Sequence, residues 1–170
     1  SISFGSAVVF NAANSSRIAT VFDSSNSKII IFYLADSAVS AIVGTVSSTS
    51  ISFGSSVVVN SAVSTYNAAV FDSTNNKVVI AYRDAGNSYY GTVIVGTVSG
   101  TSISFGSAVV FNAANSSRMA TVFDSPNGKI IIFYLPDSSV SAIVVTVSST
   151  PHSFAGLVVA KTAASTYNPA

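Results

Sequence analysis

Six aspartates and one histidine are the side chains best suited to acid–base or metal chemistry, since the sequence has no cysteine and no glutamate. Asp23, Asp72 and Asp124 recur at one position of a repeated Asp-Ser-x-Asn-x-Lys motif. Catalysis or metal binding needs several carboxylates to converge, whereas an Asx turn needs only one, which accepts hydrogen bonds from the backbone that follows it. We therefore predict that these aspartates cap turns and that Asp36 and Asp137 are likewise loop residues. No catalytic residue, metal site or cofactor is expected.

His152 is the only histidine, so the chain cannot supply the histidine pair of a zinc site. It stands where the related unit has Ile51, and we interpret it as a strand residue. Serine is abundant, but the Gly-x-Ser-x-Gly elbow of a hydrolase nucleophile is absent. These observations predict that the protein is not an enzyme.

One segment, residues 83–90, clusters charge, amide and aromatic side chains. Exposed tyrosines beside aspartate and asparagine suit sugar recognition, because aromatic rings stack on apolar sugar faces while polar groups bond hydroxyls. The alternative is a loop whose tyrosines pack between repeat units. The candidate glycan-binding residues are Arg83, Asp84, Asn87, Tyr89 and Tyr90.

Two sequons occupy equivalent positions of the repeat, at Asn14 and Asn115. Each has the Asn-x-Ser pattern of an N-glycosylation acceptor. In a chain so rich in asparagine and serine, a duplicated match counts as one coincidence. Glycosylation at these two residues is a hypothesis that requires export.

The chain is a tandem array. Residues 1–49 return as residues 102–150 with six substitutions, and a looser copy of the same unit lies between them. Two unit types of about 50 residues thus alternate with a 101-residue period, which is typical of propellers, solenoids and fibres. The expected divisions are a strand completing another blade, three repeat units and the start of a further unit, at residues 1–13, 14–62, 63–114, 115–163 and 164–170.

Each unit has four short runs rich in β-branched residues, joined by connections too short for parallel crossovers. The run after each Asp motif is apolar without alternation, which indicates a strand in a sheet that is covered on both faces. We therefore predict an all-β fold of tandem four-stranded antiparallel meanders that are β-propeller-like blades.

The sequences of two units strengthen this interpretation. Residues 21–36 and 70–87 resemble NHL-type propeller repeats, with an Asp turn, an apolar second strand and, in the second case, an Asp-Ala-Gly-Asn loop. The resemblance implies blades and no activity; Asp36 and Asp137 lack the Gly-Asn portion of that loop. The array is also similar to repetitive tracts of large bacterial surface proteins and phage tail fibres.

Composition limits the partners. Only 8% of residues are charged and the formal net charge is +1, so no basic stripe is available for nucleic acid or anionic lipid. The longest apolar run has seven residues, at 29–35, against about 18 needed to cross a bilayer. We expect neither nucleic-acid binding nor membrane insertion.

These patterns favour a mechanical role, because near-identical units leave no unit that differs sharply in polar residues. We expect a non-enzymatic structural repeat protein, a segment or subunit of a fibre, filament or surface appendage that is extracellular, on a cell surface or in a virion. The alternative is a glycan-binding propeller adhesin. Residues 1–10 lack a blade of their own, so we expect self-association through edge strands, either closing a ring or extending a filament.

Overall fold

A computed structural model describes residues 2–136, 138–148 and 154–158 of the chain. The predicted all-β fold is confirmed: these residues form three antiparallel sheets that resemble propeller blades. Blade 1 contains β1 (Ser15–Asp23), β2 (Lys28–Ala35), β3 (Ala38–Ser47), β4 (Ser50–Phe53) and β5 (Val57–Asn60). Blade 2 contains β6 (Ser64–Asp72), β7 (Lys77–Asp84), β8 (Tyr90–Ser99), β9 (Ser102–Phe105) and β10 (Val109–Asn115). Blade 3 contains β11 (Ser117–Asp124), β12 (Lys129–Leu135), β13 (Ser141–Val147) and β14 (Phe154–Val158).

The outermost strand of blades 1 and 2 is built in two pieces. In blade 1 both β4 and β5 pair with β3, one at each end of it, and the break falls at Gly54. The amide of Gly54 still donates to Val43 O at 2.9 Å, so the chain stays against β3 through the break. A Cβ at Gly54 would lie 1.9 Å from Thr101 O of blade 2, which explains why only glycine fits there.

The middle strands are buried on both faces where a blade has two neighbours, as the unbroken apolar runs predict. We call the face of a sheet toward the next blade its forward face and the other its backward face. The forward face of blade 1, with Ile30 and Phe32, packs on the backward face of blade 2, with Val78 and Ile80. A second core joins blade 2 to blade 3 in the same manner. The three blades are thus held together by sheet-on-sheet burial of apolar side chains.

The Asp motifs form the predicted turns. Asp23 Oδ1 accepts the amides of Ser25 at 3.0 Å and Asn26 at 2.9 Å, while Oδ2 accepts Asn26 Nδ2 at 2.8 Å. Asp72 makes the same three bonds with the residues that follow it, and Asp124 Oδ2 accepts Asn127 Nδ2 at 2.7 Å. The buried carboxylates of Asp23 and Asp72 therefore cap their turns. Asp137 and His152 lie outside the described residues.

The expected strand within residues 1–13, which would complete another blade, stays a prediction. Residues 2–10 are irregular, and β1 begins only at Ser15. A β-strand needs a hydrogen-bonded partner, and no strand of the described residues lies beside this segment. The predicted further unit at 164–170 lies outside the described residues. That part of the chain which is described contains no helix able to span a membrane.

Candidate functional site

Successive strands run in opposite directions, so each sheet has two ends with different chemistry. The Asp turns and the β3–β4 and β8–β9 turns lie at one end, which we call the turn end. The links between blades and the 83–90 loop lie at the other, the connector end. The candidate glycan-binding residues and both sequons therefore share the connector end.

The links between blades repeat one hydrogen-bond pattern. Asn60 Nδ2 donates to Ser64 Oγ at 3.2 Å, while Asn60 Oδ1 accepts the amide of Ala62 at 3.0 Å. The same Asn-to-Ser bond joins Asn11 to Ser15 at 2.7 Å and Asn112 to Ser116 at 2.8 Å. The first two links are loops, whereas Asn112 lies within β10, and all three asparagines hold the chain between blades.

The guanidinium of Arg83 organises the 83–90 loop. Its Nε donates to Thr65 Oγ1 at 2.8 Å and its Nη1 to Asn115 Oδ1 at 3.4 Å, while its Cζ lies 4.8 Å from the centroid of the Tyr89 ring. Tyr89 has a positive φ of 62°, and its carbonyl accepts the amide of Ser116 at 3.1 Å. The loop is thus fastened to the link that leads into blade 3.

The structure brings only part of the candidate set together. Arg83 and Tyr89 stack, Asp84 Oδ1 accepts the amide of Gly86 at 2.9 Å as a turn cap, and Tyr90 is half-buried. Asn87 and Tyr89 are exposed. Because Arg83 already bonds within the fold, the loop offers a ligand chiefly the free face of Tyr89 and the side chain of Asn87. Glycan binding by this loop stays a prediction.

Both sequon asparagines are exposed at the connector end. The carbonyl of Asn14 accepts the amide of Asp36 at 3.2 Å, and Asn115 Oδ1 accepts Arg83 Nη1. Exposure is compatible with modification and does not test it.

Sequence reasoning missed one polar feature, a bulge near the start of every first strand. The β1–β2 register shifts between Ser16 and Ala19, and β6 and β11 shift at the same place. Arg17 and Arg118 occupy the bulges with φ of 55° and 48°, a conformation that is costly for residues with side chains. The signal in the sequence was an arginine at the same position of blades 1 and 3, directly before the apolar part of the first strand.

Asn67 lies in the bulge of β6 and joins it to blade 1. Its Nδ2 donates to Arg17 O at 3.3 Å, while its buried Oδ1 has no hydrogen-bond partner among the described residues. A buried acceptor without a donor is unfavourable by about 1–3 kcal/mol, so this oxygen is suited to accept a bond from a bound hydroxyl or water.

Tyr82 is the buried tyrosine of blade 2, packed between blades 1 and 2. Burial, reinforced by the negative charge of Asp84 and partly offset by a hydrogen bond with Asn60, raises the pKa of Tyr82 far above its ordinary value. Burial also raises the pKa of Tyr134, its counterpart in blade 3. Both phenols are therefore neutral packing groups at physiological pH. No group of three or more His, Cys, Asp or Glu side chains able to hold a metal occurs in the described ranges.

The fold and these surfaces define an all-β protein of propeller-like blades. No protein-family model and no curated protein sequence matches the chain. Among solved structures it is similar to an exo-β-1,3-galactanase from Phanerochaete chrysosporium, determined with β-1,3-galactotriose, with a TM-score of 0.52 and 13% identity. That enzyme is a five-bladed β-propeller. The match covers 85% of this chain and 35% of the enzyme's, so this chain spans about a third of its length. At this identity the likeness concerns the fold alone.

Proposed function

We propose that this chain is a non-enzymatic structural repeat protein that associates head to tail, with the forward face of blade 3 stacked on the backward face of blade 1 of another copy. Such an assembly suits a segment or subunit of an extracellular fibre, a surface appendage or a virion. The observation that carries the proposal is a pair of apolar faces, on blade 1 and on blade 3, that the described residues leave partly uncovered.

The forward face of blade 3 is uncovered in the described residues. Phe133 is 40% exposed there, whereas Phe32, at the same position of the nearly identical blade 1, is 0% exposed because blade 2 covers it. Val140 is likewise exposed where its counterpart Val39 is fully buried. Side chains that pack on a sheet in blade 1 therefore have no sheet against them in the described part of blade 3.

The backward face of blade 1 is uncovered near the turn end in the described residues. Phe22 is 58% exposed, whereas the equivalent Phe71 of blade 2 is 9% exposed because it packs on blade 1. Val46 is exposed where Val98 of blade 2 is buried. Among the described residues, no sheet packs on this part of the face, as on the forward face of blade 3.

The backward faces of blades 1 and 2 also match in sequence. The backward face that blade 1 receives from blade 2 presents Val78, Ile80, Tyr82 and Ile94. The backward face of blade 1 has, in the corresponding order, Ile29, Ile31, Tyr33 and Ile42, of which the last three are already buried in a cluster with Phe10 and Phe53. The two sets differ at one position only, where blade 2 has Val78 and blade 1 has Ile29. Blade 3 can therefore receive blade 1 of another copy much as blade 1 receives blade 2, and such a head-to-tail contact either extends into a filament or closes into a ring, according to the rotation between copies.

Light scattering over a dilution series tests this function. We expect the 170-residue chain to form concentration-dependent oligomers, and we expect Phe133→Asp to abolish them, because a carboxylate on the stacking face would be buried without a partner. Val110→Asp is the matched control, since Val110 is also exposed but lies in blade 2 and on neither open face. A chain that stays monomeric at every concentration would contradict the proposal.

Glycan binding at the connector end is the second candidate function. The observation that favours it is Asn67 Oδ1, buried without a donor beside the bulge of Arg17. A glycan array separates the possible sites: binding lost in Asn67→Ile, which carries the residue found at the equivalent Ile18, locates the site at the bulges. Binding lost in Tyr89→Ala locates it in the 83–90 loop, and an array without signal removes this candidate.

A further inference from the structure

Residues 2–10, which we call the donor segment, repeat the outer strand of a blade. Their sequence is identical to that of residues 103–111, which include β9 and run into β10 of blade 2. In blade 2 this stretch pairs with β8. In the donor segment the same sequence has no strand beside it among the described residues.

The donor segment nevertheless lies where an outer strand belongs. A Cβ at Gly5 would lie 1.8 Å from Thr49 O in the β3–β4 turn of blade 1. The contact repeats that of Gly54, the equivalent glycine of blade 1, with Thr101 in the β8–β9 turn of blade 2. Blade 1 therefore holds the segment as blade 2 holds the outer strand of blade 1.

Aromatic contacts repeat in the same way. The Phe10 and Tyr33 rings meet edge to face at 5.2 Å and 72°, and the equivalent Phe111 and Tyr134 rings meet at 5.1 Å and 73°. The rest of the segment is bare: Phe4 is 89% exposed, although the equivalent Phe105 is partly buried against blade 1. Among the described residues the segment keeps these contacts with blade 1 and pairs with no strand.

We propose that the donor segment of one copy adds to the outer edge of β13 in blade 3 of another copy, in place of β14. This inference rests on the proposed head-to-tail stacking, which makes blade 3 the blade that precedes blade 1. It identifies the partner as a second copy of this chain and the mode as strand addition.

The β13 edge is the acceptor because its own outer strand differs from those of the other blades. In blades 1 and 2, Phe53 faces Gly44 and Phe105 faces Gly96. In blade 3, Phe154 faces Val147, which is two residues beyond the counterpart of those glycines. The outer strands of blades 1 and 2 keep the regular register and are not expected to exchange.

Val145 explains the shifted register of β14. It replaces the glycines, and a Cβ at Gly44 would already lie 3.1 Å from the Phe53 ring, or 2.8 Å from the Phe105 ring at Gly96. The same valine opposes Phe4 of an incoming donor segment in the regular register, and replacing it by glycine is therefore a test of the acceptor edge.

Cysteine pairs test the register, because the chain contains no cysteine of its own. Val109 faces Val93 in blade 2, and the equivalent pair between copies is Val8 with Ala142. Chains with Val8→Cys and with Ala142→Cys are mixed and oxidised. Directly opposed strand residues approach closely enough for a disulfide, so we expect a cross-linked dimer on a non-reducing gel.

Val9→Cys mixed with Ala142→Cys is the matched control, since adjacent strand residues point to opposite sheet faces. A Val8–Ala142 cross-link at least tenfold more abundant than this control supports strand addition. Equal yields, or no cross-link, overturn it. A double variant whose cysteines join only within one chain also overturns it. Light scattering of the unmodified chain reports stacking separately, so oligomers without the cross-link leave the proposed function standing and remove this inference.

Discussion

Phe10 meets Tyr33 edge to face at 5.2 Å, the geometry in which Phe111 of blade 2 meets Tyr134 of blade 3. The second pair joins two complete blades, whereas Phe10 belongs to a segment with no sheet of its own among the described residues. Blade 1 therefore already holds part of the contact that a preceding blade would make, which is why we propose assembly between copies.

Truncating the phenylalanine at two equivalent positions should lower stability by different amounts. Phe32→Ala removes a fully buried ring between blades 1 and 2 and should lower the free energy of unfolding by about 3–5 kcal/mol. Phe133→Ala should lower the free energy of unfolding of the isolated chain by less than half as much, because its ring is partly exposed. It should instead weaken assembly between copies. Denaturant unfolding at a concentration below assembly measures both; equal losses would show that blade 3 is already covered.

The turn aspartates should contribute unequally to the free energy of unfolding. Asp23→Ala removes three hydrogen bonds from a carboxylate that is 1% exposed, and should lower the free energy of unfolding by about 1–3 kcal/mol. Asp124→Ala, at a partly exposed position, should lower it less. Thermal and denaturant unfolding of the two variants provide the comparison. A larger loss for Asp124→Ala would contradict the assignment.

Repetition made the blades predictable from the sequence, because turn chemistry and apolar runs agree in every copy. The register of β14 and the structure of residues 2–10 were harder to predict. The change from Gly44 to Val145 is visible in the repeat, but its effect on β14 depends on where the Phe53 ring lies across the sheet. The donor segment was predicted as a strand because its sequence is that of one; whether it forms depends on a neighbour that local sequence does not encode.

The candidate site shows the same limit. The 83–90 loop was recognisable from its composition, but the bonds from Arg83 to Thr65 and Asn115 depend on packing between blades. Asn67 was not predicted as a site residue, because one asparagine among many carries no signal in the sequence. Only the structure shows that its Oδ1 is buried without a donor among the described residues.

Stability should fall at alkaline pH. The pKa values of Tyr82 and Tyr134 are raised in the folded chain, so between the ordinary tyrosine pKa of 10.0 and the folded values the folded state binds more protons than the unfolded state. The stabilisation is complete below about pH 10 and declines as the pH rises above it. Unfolding measured from pH 8 to above pH 10 should show the decline, and Tyr82→Phe should flatten it. An unchanged slope in that variant would contradict the role of Tyr82.

Restoring glycine at position 145 should strengthen strand addition. Val145→Gly recreates the space that Gly44 and Gly96 leave for phenylalanine rings, at the cost of an apolar side chain in the core between blades 2 and 3. We expect at least a threefold higher yield of the Val8–Ala142 cross-link between copies. Gly44→Val serves as the matched control. It places the same valine in β3 opposite Phe53, so it disturbs the outer strand of blade 1, which is not the acceptor. A lower yield in Val145→Gly than in the parent chain would count against the acceptor assignment.

The central claim is a head-to-tail contact between two different faces, and mixing two impaired variants tests it most directly. Phe22→Asp spoils the backward face of blade 1 and Phe133→Asp the forward face of blade 3, so each variant alone should be monomeric. Together they retain one intact contact, and sedimentation equilibrium should show a 1:1 dimer that grows no further. A mixture that stays monomeric while the unmodified chain assembles would contradict the account, as would either variant forming oligomers alone.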